Sequence, residues 1–248
     1  MNIHLLTLFP QVCTPYLDAS ILGRAQEKGL LQISVHDIRD HAHNRHRTTD
    51  DAPYGGGGGM IMKPDPVFAA VESISVTNQK SSAIVLLSPQ GRIFNQDVAL
   101  ELAGLSDLIL ISGKYEGFDE RIRKYLATDE ISVGDYVMTG GELPALVIID
   151  TVTRLMPGVL GDEGATQNDS HSDRGLLEHP HYTRPVNFRG WEVPNVLLSG
   201  DHAKVNLWRK KWSLFRTWSR RPDLLTESNL TQQEKDWLDE FKQGSFKE

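Results

Sequence analysis

In the first two thirds of the chain, apolar residues come in short runs separated by stretches of helix length. NIHLLTLF (2–9), LLQISVHDI (30–38), AIVLLS (83–88), DLILIS (107–112) and EISVG (130–134) read as strands. Helical spacing fills the intervals. One helix is expected from about Pro15, with Thr14 as candidate cap and Gly29 as stop, and another from Asp65-Pro66 through VFAAVESI. NQDVALELAG (95–104) has Asn95 as its cap, a short helix starts at Asp119, and an apolar helix runs from Pro144 to Met156. Short apolar runs alternating with helices predict βαβ units, and hence an α/β fold with a mainly parallel sheet.

The pattern changes after Pro157-Gly158. Residues 159–175, VLGDEGATQNDSHSDRG, are polar and show neither period, as expected of a linker or mobile loop. Beyond them VPNVLLSGDH leads into a helix of about 20 residues, and Thr231-Gln-Gln-Glu234 matches a capping box opening a last helix. The expected organisation is an α/β domain over 1–158, a flexible linker over 159–175 and a small helical domain over 176–248.

Composition adds limits. No Lys or Arg precedes Arg24, so the charged start expected of a signal peptide is missing, and no apolar run approaches the length of a bilayer span. Cys13 is the only cysteine, which excludes a disulfide framework within the chain. A cytoplasmic location is expected. The net charge of −7 seems to disfavour nucleic acid, but it hides an asymmetry. From His202 to Arg221 there are seven basic residues (Lys204, Arg209, Lys210, Lys211, Arg216, Arg220 and Arg221) and no acid, so without them the net −7 would be −14.

Three consecutive strands run into glycine-bearing loops: SPQG (88–91), SGKYEG (112–117) and GDYVMTGGELP (134–144). In an open α/β sheet, ligands bind outside the carboxyl ends of the strands, so these loops predict a small-molecule pocket lined by backbone groups. Any one of them alone would be read as an ordinary turn. Neither a dinucleotide nor a P-loop fingerprint is present. Lys114 faces at least three acids in these loops, Glu116, Asp135 and Glu142, which suits a cationic ligand better than a polyphosphate.

The blocks SGKYEGFDERI, SVGDYVMTGGELPALVIIDTVTRLMPGVLG, HPHYTRP, VPNVLLSGDHAKVNLWR and RTTDDAPYGGGGGM resemble the bacterial tRNA (guanine-N(1))-methyltransferases, members of the SPOUT class, over nearly the whole chain. The resemblance implies S-adenosylmethionine, leaving as S-adenosylhomocysteine, bound within a deep trefoil knot. It implies a homodimer with interfacial active sites, a tRNA substrate and methylation of the guanine at position 37, just 3′ of the anticodon. Carried onto this chain, the cofactor site comprises Leu87, Ser88, Pro89, Gly113, Tyr115, Glu116, Val133, Gly134, Asp135, Tyr136, Val137, Met138, Gly140, Gly141 and Pro144. The acid–base pair falls on Asp169 and Arg154. Taken by their surroundings alone, Arg154 could be an i,i+4 partner of Asp150, and Asp169 a turn residue in a loop that also holds Asp162, Glu163 and Asp173.

The remaining features then read as RNA contacts. On the helix containing LWRKKWSLFRTWSRR, Trp208, Trp212 and Phe215 form an apolar stripe read as core, while Arg209, Arg216 and Arg220 read as phosphate contacts. Ser199, Gly200 and His202 lie where the helix begins and could offer N–H groups to a phosphate. Asp50 and the run Gly55, Gly56, Gly57, Gly58 and Gly59 could lie flat against an extruded base. His41, His43 and His46, or His179 and His181, lack a complete ligand set, so no metal is assigned; any Mg2+ dependence would have no cage in the protein. An RNA-binding module without catalysis, or a nucleotide-using enzyme, is the alternative.

Overall fold

The computed structural model describes residues 1–161, 166, 169–172, 175–225 and 230–246. Asp162, Glu163 and Asp173 of the expected linker lie outside them. Two compact units divide the chain, Met1–Glu163 and Gly164–Glu248.

The first unit runs β1 (Asn2–Thr7), α1 (Pro10–Leu17), α2 (Ser20–Glu27), β2 (Gln32–Asp37), β3 (Asp50–Asp51), β4 (Ile61–Met62), α3 (Pro64–Glu72), β5 (Ser82–Ile93), α4 (Gln96–Ala103), β6 (Asp107–Ser112), α5 (Glu120–Tyr125), β7 (Asp129–Ser132) and α6 (Glu142–Leu155). Five strands form a sheet in the order β2-β1-β6-β5-β7, every neighbouring pair parallel. This is the α/β, parallel architecture that the alternating pattern predicts.

β6 lies at the centre and all six of its residues, DLILIS, are buried, as a strand covered on both faces requires. Alternation along the strands then divides the core in two. Ile3, Leu5, Leu108 and Leu110 pack with Leu102 of α4 and Ile148, Ile149 and Val152 of α6. Leu6, Ile109 and Ile111 pack on the other face with Val67 and Ala70 of α3 and Ile122 of α5. Burial of the single cysteine pushes the Cys13 thiol up to about 11, with the Glu142 carboxylate adding to the rise.

Three local expectations change. The helix placed from Pro15 to Gly29 is two helices, broken at Asp18–Ala19, with Ser20 at φ +53°. Pro10 at the first turn supplies the start expected at Pro15, because its preset φ and missing N–H cost nothing there. Gly29 does end the second helix region, in the left-handed conformation at φ +68°. α3 likewise opens at Pro64 rather than at Asp65. The strand expected over 83–88 continues to Ile93, because Arg92 and Ile93 return to pair with β7 after an excursion of four residues.

The second unit contains a two-stranded antiparallel pair, β8 (Asn187–Phe188) and β9 (Trp191–Glu192), then α7 (Asn195–Leu198), α8 (His202–Arg220) and α9 (Gln232–Lys242). Both halves of the capping box at Thr231 and Glu234 are formed. Leu214, Phe215 and Phe241 are buried at its centre, with Trp212, Trp218 and Phe246 packed around them. Phe215 meets Phe241 edge to face at 5.1 Å, an arrangement favoured by the ring quadrupoles. Trp212 and Phe215 of the expected stripe are therefore core residues.

Candidate active site

A cavity of about 290 Å³ opens at the carboxyl ends of β5, β6 and β7. Of the fifteen residues assigned to the cofactor, fourteen line it: Leu87, Ser88, Pro89, Gly113, Tyr115, Glu116, Val133, Gly134, Tyr136, Val137, Met138, Gly140, Gly141 and Pro144. Asp135 does not; it is exposed outside the cavity.

The walls are shaped by close backbone approach. Leu87 and Arg92 of β5 both stand opposite Ile131 of β7, so Ser88–Gly91 must loop out of the sheet. A β-carbon on Gly91 would come within 2.4 Å of the Glu130 and Ile131 backbone, so the loop can return to the sheet only through glycine. The second loop turns through Lys114 to Gly117, whose N–H donates to the Lys114 carbonyl at 3.1 Å. Tyr115 within it adopts φ +61°, uncommon for an aromatic residue and characteristic of functional loops. The third loop is joined to the second where the Gly141 N–H donates to the Gly113 carbonyl at 2.8 Å. It is braced internally by the Tyr136 hydroxyl donating to the Val133 carbonyl at 3.2 Å.

The electrostatics differ from the expectation in their details. Glu142 is not a wall residue. It is buried in the first turn of α6, where its Oε1 accepts a hydrogen bond from the Thr7 hydroxyl at 2.9 Å. Glu120, Arg123 and Glu130 line the cavity, and the loop-by-loop reading missed all three. Arg123 is paired with Glu120 one helical turn away. Glu130 could have been found from strand register, since it stands opposite Leu86 beside the first loop. The charged lining is thus Lys114 and Arg123 against Glu116, Glu120 and Glu130, a small excess of negative charge. Lys114 also lies over the ring of Phe9, 5.0 Å from its centre.

The glycine run lies against this site. β3 and β4 pair antiparallel, Asp50 with Met62 and Asp51 with Ile61, and Asp50 is half-buried there. Glu116 donates its N–H to the Met60 carbonyl at 3.0 Å, and Met62 donates to the Gly117 carbonyl at 2.9 Å. Gly55, Gly56, Gly57 and Gly59 have φ between +82° and +120°. A β-carbon at Gly55, Gly56 or Gly58 would meet nothing, whereas one at Gly59 would strike the side chain of Glu116. Within the chain, then, the run is explained mostly by its backbone conformation and not by crowding.

Arg154 lies in the last turn of α6. The nearby Asp150 accepts from the Tyr16 hydroxyl at 3.0 Å, and this bond raises the Tyr16 pKa. Asp169, in the second unit, is half-buried and opens a turn in which the Ser172 N–H donates to its carbonyl at 3.1 Å.

On α8, Arg209 and Arg220 are exposed, but Arg216 is half-buried and directs Nη1 to the Glu178 carbonyl at 3.5 Å. Lys211 is also drawn inward, paired with Glu240 at 2.7 Å and lying over Phe246. The N–H groups expected to be open at the helix start are partly used. Asp201 caps the Lys204 N–H at 3.1 Å, and Ser199 Oγ accepts from the Asp201 N–H at 3.2 Å. A carboxylate at that end competes with a phosphate. Gly200, at φ +71°, makes the turn between them, and His202 is exposed.

Among the described residues, no helix is long and apolar enough to cross a membrane. Close relatives are full-length. A protein of Dehalococcoides mccartyi named tRNA (guanine-N(1)-)-methyltransferase is 54% identical over 241 residues, covering 97% of each chain. Proteins of the same name from Anoxybacillus flavithermus and Bacillus cereus are 54% and 53% identical, each covering 98% of this chain and 99% of their own length. The model of the family described as tRNA (Guanine-1)-methyltransferase TrmD matches residues 1–227, both the walls of the cavity and the basic helix, and the chain belongs to that family.

Proposed function

We propose that this chain methylates N1 of the guanine at tRNA position 37, using S-adenosylmethionine held at the carboxyl ends of β5, β6 and β7. The observation that carries this reading is the cavity itself, enclosed by three loops in which backbone crowds backbone at Gly91 and Gly141. The full-length relatives named tRNA (guanine-N(1)-)-methyltransferase support the reaction.

The residues fit such a cofactor. Loop backbone offers donors and acceptors to an adenine and a ribose, and Tyr115, Tyr136, Val137 and Met138 offer apolar surface. The excess of carboxylates suits a ligand with a positive sulfur. When bound, S-adenosylmethionine supplies a methyl carbon activated by that positive charge. In this reading the knot of the SPOUT class shapes the three loops, and the active unit is a homodimer.

Asp169 accepts the N1 proton of guanine as the methyl arrives. A carboxylate is a weak base for so feeble an acid and cannot remove the proton beforehand. Negative charge that grows on the adjacent carbonyl oxygen therefore needs a partner, and the guanidinium of Arg154 is suited to that role. Asp50 and the glycine loop hold the flipped base and its neighbour, and the exposed cations of α8 hold phosphates.

The test is methyl incorporation into tRNA carrying guanine, or another base, at position 37, with cofactor binding followed by calorimetry. Incorporation that persists without the guanine, or tight ATP binding with no S-adenosylmethionine binding, would overturn the reading. Sedimentation at micromolar concentration tests the dimer, and a monomer that retains full activity would contradict it.

A further inference from the structure

The second unit contains a group of side chains to which the proposed methyl transfer assigns no role. Glu178, His179 and His181 place one potential ligand atom each within 4.8 Å of one another. Among the described residues, this is the only group of three or more histidine, cysteine or acidic side chains with that spacing. We propose that these three residues bind a late first-row divalent cation, with Zn2+ the best fit. The inference stands apart from the methyl-transfer reading and does not depend on it.

The segment carrying them is fixed to α8 before any ion arrives. The Leu177 N–H donates to the Thr217 hydroxyl at 2.9 Å, the Ser213 hydroxyl donates to the Leu177 carbonyl at 2.6 Å, and the Glu178 N–H donates to the Ser170 hydroxyl at 3.0 Å. The rings of His179 and Tyr182 each lie 6.3 Å from that of Trp208. A ligand set held in this way has little ordering entropy left to lose.

The donor chemistry also fits. The Pro180 carbonyl can only accept, so the contact at 3.1 Å makes His179 Nδ1 the donor and leaves Nε2 with a free lone pair. A hydrogen bond from the far ring nitrogen to a carbonyl is the usual support of a metal-bound histidine. His181 Nε2 and Glu178 Oε1 are 2.8 Å apart. Tetrahedral zinc holds its ligand atoms roughly 3.3 Å apart, so this edge opens slightly as the exposed His181 rotates, and the same rotation can bring its ring nitrogen toward His179. On binding, the proton at His181 Nε2 moves to Nδ1. The carboxylate of Glu178 offsets the charge of the ion, and Arg209 opposes it. Two imidazoles and one carboxylate leave a fourth position for water, and imidazole selects against Mg2+.

The full-length chain, treated with chelator and dialysed, is titrated with Zn2+ by calorimetry and with Co2+ by visible absorption. One equivalent per chain is expected, with the intense bands of tetrahedral Co2+ and no competition from excess Mg2+. His179→Ala and His181→Asn should each weaken binding at least tenfold, while His43→Ala should leave it intact. Because His181 is exposed, His181→Asn tests the site without disturbing packing, and thermal unfolding of the metal-free variants checks their fold. Absence of binding, or a titration unchanged in either the His179 or the His181 variant, would overturn the proposal.

Discussion

A β-carbon on Gly141 would lie 2.7 Å from the Cα of Ser112, closer than real β-carbons approach backbone. That contact is where the third wall of the cavity meets the end of the central strand, and the Gly141 N–H also donates to the Gly113 carbonyl there. Gly141→Ala must therefore push the 133–141 loop away from β6. Overpacking of this kind costs about 1–3 kcal/mol. Calorimetry should show S-adenosylmethionine binding weakened at least tenfold, together with a lower Tm. Wild-type affinity in this variant would mean that the loop junction is softer than its geometry.

The glycine loop offers a cleaner probe. Gly58 has neither a left-handed backbone nor anything near the position of its missing side chain, whereas Gly57 sits at φ +120°. Gly58→Ala should keep the Tm of the wild type. If RNA lies flat on this backbone, the same variant should lose kcat/KM for tRNA while binding S-adenosylmethionine normally. Gly57→Ala should cost stability as well, since a left-handed conformation penalises a β-carbon by roughly 1–2 kcal/mol. Normal tRNA kinetics in the Gly58 variant would remove the loop from the RNA interface.

For Asp169→Ala, S-adenosylmethionine affinity should be retained and single-turnover methylation should fall about 10²–10⁴-fold, the usual worth of a positioned acid–base group. Arg154→Ala should slow the same step without altering cofactor binding. Unchanged turnover in either variant removes that residue from the proposed pair.

His4 of β1 and His36 of β2 bring their ring nitrogens within 3.1 Å. Burial lowers both pKa values; the Asp107 carboxylate opposes this at His4, and repulsion from His4 and His41 adds to it at His36. Depressed folded-state values mean that the unfolded chain binds more protons. Stability from this pair is therefore complete above the ordinary histidine pKa of about 6.5 and is lost as pH falls from there toward the lower folded values. Urea midpoints should drop between pH 7.5 and 5.5, and the double variant His4→Asn/His36→Asn should show a shallower drop. Equal slopes for the two proteins would contradict the assignment.

Period and punctuation made much of this legible in the sequence. The run DLILIS, apolar through and bounded by turn residues, marked the central buried strand, and Asn95 and Thr231 marked helix starts that the structure caps as expected. Glycine-bearing loops after three strands pointed to the place where the cavity lies. What escaped depends on contacts distant in sequence. The return of Arg92 to β7 is a pairing across 39 residues, with no local signal besides Gly91. Glu142 reads as a loop acid and is a buried helix-start carboxylate, because its partner Thr7 lies 135 residues away. Arg216 and Lys211 share the composition of a charged face, yet the packing of α8 turns both inward.

On the proposed reading, that last distinction predicts which cations of α8 sense RNA. Arg209 is exposed, whereas Lys211 is tied to Glu240 and covers the Phe246 ring. Each phosphate contact contributes about one unit to the slope of log K against log salt. Arg209→Ala should weaken tRNA binding and reduce that slope by about 1, with an unaltered Tm. Lys211→Ala should do the reverse, lowering the Tm because it strips a partner from Glu240 and cover from Phe246, while the salt slope stays that of the wild type. Measuring both slopes by filter binding between low and physiological salt separates surface charge from charge used in folding. A slope reduced equally by the two variants would show that Lys211 leaves Glu240 to meet the phosphate backbone.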